Sequence, residues 1–117
     1  MGHSAREADT NNVACWSPIH HGCWSISERV QIDRVRYICE KSSKLEFDGG
    51  HSDEGDPWCI VYNRQREQVV LHIARIDRWY VVVRESHSKP LIAALLSEAI
   101  NAALNDLDGA GTDRRTA

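Results

Sequence analysis

The sequence has no basic excess, no long apolar run and none of the short catalytic signatures, and each absence removes a class of function. Lys and Arg number 14 against 17 Asp and Glu, so the surplus of positive charge that marks a dedicated nucleic-acid binder is missing. No stretch approaches the ~20 consecutive apolar residues that span a bilayer. Residues 1–12 carry no apolar core of the signal-peptide kind, so the expectation is a cytoplasmic protein. A G-x-S-x-G elbow, a Walker loop and an H-E-x-x-H helix are all lacking, and Gly49-Gly50 is too short a glycine signal for a phosphate cradle. Large apolar residues are also scarce: Leu, Ile, Val and Phe make up 26 of 117 residues, about 22%, just above the roughly 20% below which chains read as disordered. Seventeen of those 26 fall between Trp58 and Leu107, which places the core there and limits the chain to one domain.

Four cysteines are present, Cys15, Cys23, Cys39 and Cys59. Without a secretory signal they read as thiols rather than a disulfide framework. Cys39 and Cys59 sit in apolar patterns, as small buried hydrophobes do. Residues 15–24 run Cys-Trp-Ser-Pro-Ile-His-His-Gly-Cys-Trp, and Cys15, His20, His21 and Cys23 are ligand types for zinc. Their spacing departs from the usual pairs two to four residues apart. A surface turn about Pro18 and Gly22, with Trp16 and Trp24 packing on the domain, is the simpler account.

Residues 1–24 read as a flexible arm, 25–108 as the folded domain and 109–117 as a disordered tail. Ser25 and Glu28 form a capping-box pattern that opens a helix over 25–41, with Val30, Val35, Ile38 and Cys39 as its loose apolar stripe. Leu45-Glu46-Phe47 suits a short extended piece, and the Gly- and Asp-rich residues after it a loop ending at Pro57. Three runs rich in β-branched and aromatic residues, 58–62, 68–76 and 79–84, are separated by turn signals and predict an antiparallel meander. Ser88 as cap, Pro90 in the first turn and Gly109 as the stop predict a helix over 90–107, with Ile92, Leu95, Leu96, Ala99, Ile100, Ala103, Leu104 and Leu107 on its apolar face. The fold class is therefore α+β: a three-stranded antiparallel meander flanked by an N-terminal and a C-terminal helix.

The most distinctive chemistry is the acidic stretch from Glu46 to Asp56, with five carboxylates (Glu46, Asp48, Asp53, Glu54, Asp56) and no Lys or Arg. Oxygen ligands on a Gly-bearing loop suit Ca²⁺ or Mg²⁺, so Asp48, Asp53 and Asp56, with His51 nearby, are candidate ligands. The EF-hand spacing fits from no starting Asp, and a solvated loop held by Asx-turns explains the stretch more simply. His72, mid-strand, is the candidate general base if one of these carboxylates folds beside it, although its alternation with Val70, Ala74 and Ile76 suits a structural histidine. Arg64, Arg66, Arg75, Arg78 and Arg84 interleave with Trp58, Tyr62, Trp79 and Tyr80. That pattern can bind single strands, but here an acidic neighbour would repel phosphates.

The stretches LEFDGGHSDEGDPW and VVLHIARIDRWYVVV resemble a group of uncharacterised alphaproteobacterial proteins over about residues 44–84. The resemblance implies that loop and hairpin form one unit in a bacterial setting, and it implies no activity.

One further pattern bears on partners. The strands are apolar on both faces: Val69, Leu71 and Ile73 oppose Val70, His72, Ala74 and Ile76, while Trp79, Val81 and Val83 oppose Tyr80 and Val82. The terminal helix covers one face. The other requires the 25–41 helix, the Trp16/Trp24 segment, a second subunit or a protein partner. The reading that needs least is a non-catalytic interaction module without a cofactor, with Asp48, Asp53, Glu54, Asp56, Trp79 and Tyr80 as its binding surface. Divalent-metal binding through the 46–56 loop and hydrolysis using His72 are the alternatives.

Overall fold

The computed structural model describes residues 23–112, with side chains as far as residue 108. Helix α1 spans Ile26–Glu40 and opens on the expected capping box. The Glu28 amide donates to Ser25 Oγ (3.2 Å), and the Ser25 amide donates back to Glu28 Oε1 (2.8 Å). The helix closes as the Lys41 amide donates to the Ile38 and Tyr37 carbonyls. Its buried residues are Ile32, Val35 and Cys39, so the stripe includes Ile32 and leaves out Val30 and Ile38, which are exposed. Spacings of three and four from Ile32 outweigh the strand-like Val30–Ile32 alternation.

The sheet has five strands rather than three. β1 (Leu45–His51), β2 (Pro57–Asn63), β3 (Gln68–Ile76), β4 (Trp79–Arg84) and β5 (Leu91–Ala93) pair in chain order, each antiparallel to the next. The predicted meander forms its centre, and an edge strand is added on each side. β1 takes up residues 48–51, which turn chemistry had assigned to the loop. Its glycines have a packing reason: a Cβ on Gly50 would lie 3.0 Å from the Trp58 ring, so glycine here lets the indole lie against the neighbouring strand. The loop shrinks to residues 52–56, where Asp56 and Ser52 close a turn through Ser52 N–H to Asp56 O (2.8 Å) and Gly55 takes φ 92°.

β5 is the second correction. Residues 91–93 were expected in the terminal helix, but the exposed edge of β4 offers them a hydrogen-bonding ladder, and Val81 pairs with Ile92. Helix α2 therefore starts at Leu96, not Pro90, and continues past Gly109 to Thr112. The two-residue turn at Asp77-Arg78 is where the sequence placed it, with Asp77 at φ 60°, as hairpin turns of this length require. Between β2 and β3 the pairing steps from Val61–Leu71 to Tyr62–Val69, which makes Val70 the extra residue of a bulge.

Both helices pack on the same face of the sheet and touch each other. The core there joins Ile32, Val35 and Cys39 of α1, Leu96, Ala99, Ile100, Ala103 and Leu107 of α2, and Leu45, Cys59, Val61, Leu71, Ile73, Val82 and Ala93 of the sheet. Cys23 and Trp24, which fell in the expected arm, are buried at 2% and 5% exposure, with Trp24 in this core. Among the described residues, no helix is long and apolar enough to cross a membrane.

Candidate interaction surface

Strand alternation divides the sheet into two unlike faces. The covered face carries Cys59, Val61, Leu71, Ile73 and Val82 beneath the helices. The opposite face is built from cross-strand rows. One row runs Asp48–Ile60–His72–Val83, and the next Gly50–Trp58–Ala74–Val81–Ile92. Ile76 pairs with Trp79 at one end, and Tyr62 with Val69 at the other. Ile92 (60% exposed), Ile76 (48%), Val83 (46%), Trp79 (45%) and Val69 (45%) face outwards. Isolated exposed hydrophobics are ordinary, but five on one sheet face form a patch. On β2, β3 and β4 this face carries no Asp, Glu, Lys or Arg.

His72 lies within the patch, half-buried, with its ring edge-on to Trp58 at 6.3 Å and 77°. Burial holds its imidazole below the usual histidine value, which keeps it neutral at neutral pH. Asp48 shares its row but sits two strands away, beyond Ile60, a backbone separation of roughly 10 Å. The Asp48 carboxylate accepts the Gly49 amide instead (2.8 Å). Asp53 and Glu54 are exposed at the tip of the 52–56 turn, with Asp56 half-buried at its foot. The structure therefore leaves His72 and the acidic carboxylates apart. Among the described residues, no group of three or more His, Cys, Asp or Glu side chains is placed to hold a metal. Cys15, His20 and His21 of the candidate zinc ligands lie outside the described residues.

Tyr80 is on the covered face, away from Trp79. Its hydroxyl donates to Glu28 Oε2, and burial together with that bond pushes it up to about 12. Arg75 joins the same carboxylate (Nη1 to Oε1, 2.5 Å). Arg64 pairs with Glu46 at 3.5 Å, and Arg66 with Glu85. Three of the five arginines that suggested a nucleic-acid groove are thus tied to carboxylates.

A cleft of about 480 Å³ lies between α1 and β1, lined by Arg29, Asp33 and Arg36 on one side and Phe47, Gly49 and His51 on the other. Asp33 pairs with both arginines, at 3.8 and 2.9 Å. Cys59 also lines this cleft, and burial pushes its thiol up to about 12; Cys39 is raised to about 11, by burial first and Glu40 second. Neither is a thiolate nucleophile at neutral pH. The sequence reading missed Ile92 as a surface residue because it had assigned that position to a helix; the β-compatible Leu-Ile-Ala run directly after Pro90 was the available signal.

No family model matches this chain, and no curated protein or solved structure does either.

Proposed function

We propose that this protein is a non-catalytic interaction module whose working surface is the open face of the sheet. The observation that carries this reading is the placement of both helices on one side, which leaves Val69, Ile76, Trp79, Val83 and Ile92 outward on the other. An apolar sheet face of this extent is a recognised mark of an association site. Trp79 is its natural anchor, since a large ring gains much contact area with few rotatable bonds to fix. Asp48 on β1, with Asp53, Glu54 and Asp56 in the adjoining turn, forms an acidic rim. Rim charge of one sign steers encounter and sets orientation more than it adds affinity.

The test is the native size of the full chain in extract of cells that express it. The wild type should migrate well above its own 13.2 kDa, and Val83→Lys combined with Ile92→Lys should return it to that mass. Both positions are exposed, so the substitutions leave the core intact. A wild type that migrates at its own mass would overturn the proposal.

A further inference from the structure

Resting on that reading, we propose that the occupant of the open face is a second copy of this chain, stacked face to face across a two-fold axis. Three observations select it. First, the face is free of formal charge on β2, β3 and β4, so a copy meets a copy without like-charge repulsion, and nothing in it selects a charged partner. A charge-depleted, apolar centre is the composition of homodimer interfaces.

Second, the size suits. Five strands at ~4.8 Å spacing and ~20 Å length present on the order of 500 Å² of flat sheet, and the side chains standing from it bring this towards the ~800 Å² per partner of a standard interface. Two twisted sheets of like curvature stack about 10 Å apart with interdigitating side chains, as in a β-sandwich.

Third, the chain's own N-terminal segment starts from the wrong side. Trp24 is in the helix-covered core, and the Cys23 carbonyl accepts from Arg75 on that face. The first described residues after segment 1–22 are therefore anchored away from the open face.

The acidic strand fixes the orientation. A two-fold axis along the strands lays β1 over β5 of the second copy and keeps Glu46 and Asp48 from their own equivalents. An axis across the strands would stack β1 on β1 and set like charges opposite each other. An isologous contact of this kind closes at two copies and leaves no surface for further growth.

The test is sedimentation equilibrium of the purified full chain from low to high micromolar concentration. The wild type should reach twice 13.2 kDa. Val83→Lys and Ile92→Lys should each weaken the dimer at least roughly tenfold with an unchanged far-ultraviolet circular dichroism spectrum, while Asn101→Lys, on an exposed helix position, should leave it intact. A monomer throughout, or a dimer indifferent to both sheet substitutions, overturns the proposal. A purified monomer that nonetheless runs heavy in cell extract rejects the second copy alone and leaves the interaction surface standing. A monomer that runs at its own mass in extract as well rejects both.

Discussion

Glu28 shows how much one side chain can be asked to do. Its carboxylate accepts from the Ser25 amide, from Arg75 and from the Tyr80 hydroxyl, so the cap of α1 is also the clamp that fixes this helix end over β3 and β4. The capping half was legible, because Ser25 and Glu28 stand three apart. The clamp was not, since its partners lie 47 and 52 residues away and nothing local marks them. Tyr80→Phe removes one hydrogen bond to a charged acceptor and should cost about 1.5–3 kcal/mol in urea unfolding, with Trp79→Phe as an exposed-face comparison that costs less. His72 gives the pH counterpart. Burial lowers its folded-state value below the 6.5 of the free side chain, so the unfolded chain binds a proton more readily. The resulting stability is fully present above pH 6.5 and is lost as the pH falls through the folded-state value. Wild-type Tm should therefore drop between pH 7.5 and 5 by more than that of His72→Gln; equal slopes would mean that His72 does not contribute.

At the scale of elements, the central strands were placed within a residue of their bounds, but the bulge in β3 turned Val69 outwards and Val70 into the core against the expected alternation, and the ambiguous segments were not read. Strands β2, β3 and β4 each carry a run of β-branched or aromatic residues between turn signals. β5 is three residues long, and Leu91-Ile92-Ala93 fits the spacing of the helix that follows as well as it fits a strand. Only the free edge of β4, a tertiary fact, decides between them. The start of β1 was the expected extended piece at Leu45-Glu46-Phe47, but its second half was hidden by two glycines that read as loop, of which Gly50 serves instead to admit the Trp58 ring. α2 was found but started six residues early. Most of its core contacts survive the shift: Leu96, Ile100 and Leu107 are all buried, each worth ~1.5–3 kcal/mol, whereas Leu95, expected on the same face, precedes the helix and is exposed. Leu96→Asp should leave the chain unfolded or without a cooperative melt, and an unchanged melting curve would contradict this packing. The acidic 52–56 turn is closed by its own backbone and Ser52 hydrogen bonds, which accounts for its shape without an ion. Millimolar Ca²⁺ or Mg²⁺ should leave Tm unmoved. A rise of several degrees, the size expected for saturating ligand in a domain this small, that disappears in Asp53→Asn/Asp56→Asn would establish a metal site there.

Across the whole molecule, the decisive feature is a two-layer architecture. A sheet apolar on both sides has been given both of its helices on one side. The sequence showed that the strands were apolar on both faces, and that something had to cover the second. It could not show that α1 lies beside α2, because that depends on the Glu28 clamp and on the helix–helix contact. The charge-free centre and the exposed Trp79 lie open because of that arrangement, and with the acidic rim they are what the proposed interaction surface rests on. The most direct measurement is a scan with a photo-crosslinking side chain incorporated singly at positions 76, 83 and 92 on the open face and at 101 and 105 on α2, in living cells. The account predicts protein adducts from the three sheet positions and few or none from the helix. Adducts that arise equally from both sides, or from α2 alone, would contradict it.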